Sequence, residues 1–324
     1  MVVKTVAVEG KIQASDRGVR KPIKSRDSLE SLISVVVCTN NAVGTIGQCL
    51  ESVKRNYPSE MIVVDGGSTD GTVEIAKRYT DRIYFDNGIG LAYARQLGAE
   101  KAAASYIFYV DSDVILPRYC LRTMMDELKV SDYTGIHAQV IGLRKASYWA
   151  WAEDQHFRMR FNKEGEAKSI GTIACIYEKD SILEHEFDPF FVNAAEDGDL
   201  CYRLRKNGLR LGISSAFVYH EHRATVRSFI KQRVGYGRGN ARFFWKHKSA
   251  TTLLGTTLMI PFGILVCIRN RSLRMLPYYL IWSAAGTYGT MREMVALTFR
   301  KLRATMPKRP SAEYAKAKPQ YQQR

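Results

Sequence analysis

The sequence predicts an α/β protein built on a mostly parallel sheet covered by helices. Three observations predict it. Short apolar runs alternate with helical stretches from Ile33 onward. The runs are apolar throughout rather than alternating, as in strands covered on both faces. Carboxylates stand where several of these runs end, the edge at which such sheets bind ligands. At 324 residues, 46% hydrophobic and 25% charged, the chain can bury one sizeable core and is too apolar for a disordered protein.

In chain order, residues 1–32 are polar and basic and lack an apolar h-region, so they read as a flexible basic arm without a secretory signal. The strands are 33-ISVVVC-38, 61-MIVVD-65, 82-RIYF-85 and 106-YIFYVD-111. Between them, 46-IGQCLESVKR-55, 72-TVEIAKRY-79 and 91-LAYARQLGAEKAAA-104 read as helices. The stretch 195-AEDGDLCYRLRKNGLR-210 is an amphipathic helix with an acidic start and a stop at Gly208, and 215-SAFVYH-220 follows as a strand. These segments define a catalytic domain over residues 33–222.

Residues 223–248 mix Arg and Lys with Phe, Tyr and Trp, contain no acid, and read as an interfacial segment whose glycines interrupt a continuous helix. Residues 249–291 hold two uncharged stretches, 251–268 and 275–291, separated by three arginines. They form an apolar hairpin that either spans the bilayer or lies in it. Residues 292–324 are a basic tail, disordered from about Arg300.

The net charge of +16 is unevenly placed. Residues 222–324 carry 20 Lys/Arg against Glu293 and Glu313, while the preceding part is nearly neutral. Positive charge bracketing apolar stretches suits anionic lipid headgroups better than nucleic acid, so the expected partner is a membrane surface and not nucleic acid. The same bias places the catalytic domain on the cytoplasmic side. The six cysteines form no CxxC pair and no legible disulfide framework, which makes a reducing compartment the default.

Three carboxylate sites carry the chemistry. Asp65 follows a buried strand, where it can accept an imide N–H from uracil or guanine or brace its own turn; Asp70 reads as a helix cap. Asp111 and Asp113 flank Ser112 after an apolar strand, where oxygen ligands suit Mg²⁺ or Mn²⁺ beside a diphosphate. Glu196, Asp197 and Asp199 open a helix, either as dipole-favoured acids or as a general base with its supports. Arg95 is a phosphate partner or a solvated helix residue, and His220 a third metal ligand or a core histidine.

Taken together, these sites resemble glycosyltransferase family 2, inverting enzymes of the GT-A fold, over roughly residues 33–222. The match rests on 34-SVVVCTNNAVGTIGQCLESV-53, 62-IVVDGGSTDGT-72, the Arg95 helix with 109-YVDSD-113, and 195-AEDGDLCYRLRKNG-208 with Val218-Tyr219-His220. The resemblance implies a Rossmann-like, mostly parallel sheet, to which the charge pattern adds a C-terminal basic and apolar helical region at the membrane. It implies that Thr39, Asn41 and Asp65 meet the nucleoside and Arg95 the phosphates. Asp111, with Ser112, would hold ribose or metal, Asp113 would ligate the metal, and Asp197 would be the base with Glu196 and Asp199 in support. Cys38, Asn40, Gly66 and Gln96 depart from the family's usual Pro, Tyr, Asp and Asn, and Gly66 and Gln96 leave the donor open between UDP- and GDP-sugars. The Gln-x-x-Arg-Trp signature of processive synthases is absent; 232-QRVGYGRG-239 stands in its place.

The expected activity is therefore metal-dependent, inverting transfer of a single hexose to a membrane-located acceptor such as a polyisoprenyl phosphate or lipid-linked glycan. The alternative is a soluble or protein-linked glycan acceptor. Remoter alternatives are a nucleic-acid-binding protein and a catalytically silent scaffold.

Overall fold

The computed structural model describes residues 32–144, 147–192, 194–249 and 259–305. The first 31 residues of the expected arm, and the tail beyond Thr305, lie outside the described residues.

Nine strands form one sheet: β1 (Ile33–Thr39), β2 (Glu60–Asp65), β3 (Ile83–Phe85), β4 (Tyr106–Asp111), β5 (Val114–Ile115), β6 (Tyr133–Gly142), β7 (Gly165–Ala167), β8 (Ala174–Glu178) and β9 (Arg210–His220). The order is β3-β2-β1-β4-β8-β6-β9-β5, with β7 added on β9. The strands β3, β2, β1, β4, β6 and β9 run one way, while β8, β5 and β7 run against them. The expected mostly parallel sheet is thus present, interrupted by β8. That strand descends from a loop rather than from a crossover helix, so it enters antiparallel.

Strand β1 is buried at all seven positions, which its unbroken apolar run requires. Helices α1 (Ile46–Lys54) and α4 (Cys120–Val130) turn apolar faces onto one side of the sheet. Helices α3 (Leu91–Lys101), α6 (Lys179–His185) and α7 (Glu196–Lys206) contribute to the apolar layer on the other side. Gly98 permits α3 to press close, since a Cβ there would collide with Val36. The short helix α2 (Thr72–Ala76) closes the β2–β3 connection. All six cysteines are buried and unpaired.

A third apolar cluster joins α5 (Tyr148–Arg160) to the C-terminal helices α8 (Val226–His247), α9 (Met259–Arg269) and α10 (Leu276–Thr305). Against expectation, α8 is one continuous helix, and its glycines serve packing. A Cβ on Gly237 would fall onto the Gly286 carbonyl, and one on Gly289 onto the Val234 carbonyl, so α8 and α10 lie backbone to backbone. Two of the basic residues of α8, Arg233 and Arg242, are buried. Arg233 is buried in contact with Glu153 (2.5 Å) and lies 3.7 Å from the Trp282 ring centroid. Arg238 and Arg242 share Glu293 of α10 at 2.9 and 2.7 Å.

The uncharged stretch 275–291 belongs to α10, which continues as helix through the expected tail boundary to Thr305. Among the described residues no helix is long and apolar enough to cross a membrane. The first eight residues of the first uncharged stretch, 251–258, lie outside them.

Candidate functional site

The carboxyl ends of β1, β2, β4 and β9 supply the site. Parallel register sets Thr39 beside Asp65, and Cys38 beside Asp111. The two loops above β1 and β2 are sewn together. Gly66 N–H donates to the Thr39 carbonyl (2.8 Å), Asn40 Nδ2 to the Gly66 carbonyl (2.6 Å), and Thr69 N–H to Asn41 Oδ1 (3.0 Å). Asn41 sits at φ 50°, in the left-handed region that asparagine tolerates. A Cβ on Gly66 would lie 3.0 Å from Asn40 Nδ2. The two departures from the family pattern therefore go together: Asn40 occupies the space that a side chain at position 66 would need.

Asp65 is buried and turns into its own loop. Its Oδ2 accepts from Gly67 and Ser68 N–H (2.9 and 2.7 Å), and its Oδ1 from the Ser68 hydroxyl (2.6 Å). The turn-bracing reading of Asp65 is thus realised, with one lone pair left over by this count. Asp70 accepts from Thr72 N–H and Val43 N–H, both at 3.1 Å; the cap of α2 is Gly71, so Asp70 ties the Val43 loop to the first residue of the helix rather than capping it as expected. Thr39 Oγ1 is buried and has no hydrogen-bond partner among the described residues. A ligand hydroxyl or carbonyl would satisfy it.

Asp111 ends β4, and Ser112 leads in the turn to Asp113. The β5–β9 ladder pairs Val114 with His220, which brings the histidine to the acid pair. Ligand atoms of Asp111, Asp113 and His220 lie within 4.8 Å of one another. His220 Nε2 is 3.3 Å from Asp113 Oδ1, and Arg223 is 3.8 Å from Oδ2. Burial opposes ionisation of Asp113, but His220 and Arg223 hold its carboxyl below the ordinary value. Burial likewise opposes protonation of His220, and Asp113 overcomes it, raising the imidazole. His220 Nδ1 meets His222 Nδ1 at 3.0 Å, fixing the ring.

Arg95 joins this cluster to the next. Buried under α3, it pairs with Glu196 through Nη1 and with Asp111 through Nη2 (3.3 Å). Glu196 opens α7 directly after Ala195, which adopts φ 68°. A non-glycine residue there costs on the order of 1–3 kcal/mol, a strain that recurs at functional sites. Asp197 comes next, its Oδ1 accepting from Gly198 N–H at 2.7 Å. Burial raises the carboxyls of Asp111 and Asp197, and lifts Glu196 to about 7, with Arg95 pulling each of them down. Asp199 is fully buried and clamped by Arg203 and Lys246 (2.8 Å each) and His247 (2.6 Å). Its part is to hold α8 against the start of α7.

The structure adds two residues that the sequence did not single out. A Cβ on Gly171 would lie 3.7 Å from both Asp197 Oδ2 and His137 Nε2. Gly171 thereby keeps open the space between them. His137 is buried, its Nε2 has no partner among the described residues, and burial lowers its pKa to about 4.

Comparison with known proteins gives three findings. Residues 34–187 match the family model described as Glycosyl transferase family 2. The succinoglycan biosynthesis protein ExoA of Rhizobium meliloti is 28% identical over 318 residues, covering 84% of this chain and 93% of ExoA. The lipopolysaccharide core biosynthesis glycosyltransferase LpsC of the same organism is 31% identical over 102 residues, which are 30% of this chain and 36% of LpsC. Among solved structures, glucosyl-3-phosphoglycerate synthase from Mycobacterium tuberculosis, in complex with phosphoglyceric acid, superposes with a TM-score of 0.50 at 17% identity. It covers 70% of this chain and 85% of that one, a likeness of fold alone.

Proposed function

The chain belongs to glycosyltransferase family 2 and has its GT-A fold, and from that premise we propose that it transfers one hexose, with inversion, from a UDP- or GDP-sugar to a membrane-located acceptor. The observation that carries the reading is the convergence of two acid clusters on Arg95. That residue touches Asp111 on one side and Glu196, next to Asp197, on the other. Sequence-distant carboxylates facing one buried cation are costly to assemble, and a sugar diphosphate gives them a purpose.

Thr39, Asn41 and Asp65 line the nucleoside end, where the orphaned Thr39 hydroxyl awaits a partner. Asp111, Asp113 and His220 would hold a divalent cation, which supplies charge neutralisation for the diphosphate leaving group. Two carboxylates and one imidazole fit such an ion, and the nitrogen ligand favours Mn²⁺ over Mg²⁺.

Asp197 faces the acceptor. Its Oδ1 is fixed by Gly198 N–H, and its burial-raised carboxyl is a stronger base than an ordinary aspartate. It takes the proton from an acceptor hydroxyl as that oxygen bonds to the sugar C1 and the C1–O bond to the diphosphate breaks. A phosphate acceptor, already ionised, would need only orientation. Glu196 keeps Arg95 in place through Oε1, while its Oε2 has no hydrogen-bond partner among the described residues. Asp199 sets the position of α7.

The test is Asp197→Asn. Transfer should fall by about 10²–10⁴-fold, while Mn²⁺-dependent thermal stabilisation by the donor nucleotide-sugar stays within about twofold in apparent affinity. Near-normal turnover removes Asp197 from this role.

A further inference from the structure

We propose that α9 and α10 form a docking face that lies flat on an anionic lipid bilayer, with α10 parallel to the surface. The inference deepens the membrane-located acceptor proposed above, and concerns attachment rather than chemistry.

Helix α10 is sided along its length. Leu280, Ala284, Tyr288, Met291, Val295, Phe299 and Leu302 are exposed. Their spacing of 4, 4, 3, 4, 4 and 3 residues keeps them on one stripe. At 1.5 Å per residue the stripe is roughly 33 Å long. Its members are well exposed, Tyr288 at 59%, Met291 at 64% and Phe299 at 61%. The helix cannot roll to hide them. Its opposite side is fixed to α8 by the Gly237 and Gly289 contacts, by Thr290 Oγ1 donating to the Gly237 carbonyl (3.0 Å), and by Glu293 between two arginines.

Helix α9 and the turn before α10 add exposed apolar side chains. Leu265 and Ile268 of α9 and Leu273 of the following turn are exposed at 61%, 68% and 73%. Between them lies a groove of about 220 Å³, lined by Ile264, Ile268, Arg271, Leu273 and Leu276 among others. It offers an acyl chain an apolar floor with a guanidinium at the rim.

Charge identifies the occupant. Over residues 259–305 the sole acid is Glu293, which is buried and paired. Arg269, Arg271 and Arg274 are exposed at and after the end of α9, Arg274 lying over the Trp151 ring, and Arg292, Arg300 and Lys301 are exposed on α10, Lys301 lying over the Trp245 ring. The next residues, 306–324, add five Lys/Arg against Glu313. An apolar stripe with a purely cationic margin matches anionic phospholipid headgroups above acyl chains. The same margin would repel itself across a two-fold axis, so a second copy of this chain fits poorly.

The experiment is flotation of the full chain with vesicles of phosphatidylcholine alone or mixed with phosphatidylglycerol. The chain should float with the mixed vesicles. Met291→Glu combined with Phe299→Glu should cut the bound fraction about tenfold or more, with circular dichroism, melting temperature and transfer to a water-soluble acceptor unchanged. Asp197→Asn should float like the wild type, which separates attachment from catalysis. A wild-type chain that stays down with both vesicles, or a double variant that floats normally, overturns the proposal. So does a wild-type dimer that the double variant converts to monomer without any vesicle binding.

Discussion

Arg95 shows how much a single side chain settles in this pocket. Its lone charge offsets Asp111 and Glu196, and it lowers the burial-raised Asp197 as well. The acids could be read from the sequence because each ends an apolar run or opens a helix. His137 could not. Its place beside Asp197 depends on β6 lying between β8 and β9, pairings set by residues far along the chain. No local signal marks β6, since Gly135 and His137 break its apolar run. Gly135 is nonetheless required, because a Cβ there would strike the Tyr177 ring.

His137 also carries a prediction. Its native pKa is depressed to about 4, while an unfolded histidine titrates near 6.5. The unfolded chain therefore takes up the proton first as the medium turns acid. Stability should fall between about pH 6.5 and about pH 4, by up to about 3 kcal/mol from this residue. His156 and His222, lowered to about 3 and about 4, add to the same trend. Denaturant titrations at several pH values should show a shallower loss in His137→Gln than in the wild type. Parallel curves would mean that the ring is protonated or solvated in the native state.

At the scale of elements, the strands and helices up to β4 were legible because local pattern alone fixes them. Helix α8 was legible only in part. Three glycines within five residues argue against a helix by propensity, and tertiary contact overrides that preference. The three glycines are not equivalent, which gives a paired test. Gly237→Ala drives a methyl group into the Gly286 carbonyl and should cost about 1–3 kcal/mol or more. Gly235 has nothing within 4 Å of its would-be Cβ, so Gly235→Ala should stabilise by up to about 1 kcal/mol. Melting temperatures that shift alike in the two variants would contradict the close α8–α10 packing.

For the whole molecule, the C-terminal excess of positive charge was legible, but its use was not. Arg233, Arg238, Arg242 and Lys246 pair with Glu153, Glu293, Asp188 and Asp199. Composition counts charges; only packing pairs them. Part of the basic surplus therefore ties α8 to α5, α7 and α10, while Arg227 and Lys231 of α8 lie outward along with Arg269, Arg292 and Arg300. Glu293→Ala leaves the buried Arg242 without its carboxylate and should destabilise the fold by about 3–5 kcal/mol. Chemical denaturation would register it as an earlier or biphasic transition, and an unchanged midpoint would show that α10 does not depend on that pair.

The six sequestered sulfurs have a practical corollary. With none of them joined, every kilocalorie of cohesion is non-covalent, and the redox poise of the surroundings does not enter the folding equilibrium. Because each native thiol is shielded from solvent, a cysteine engineered onto the outer side of α10 would be the one ready nucleophile for a fluorophore or spin label. The chain thus comes with a chemically quiet background against which the proposed approach to a lipid surface can be watched.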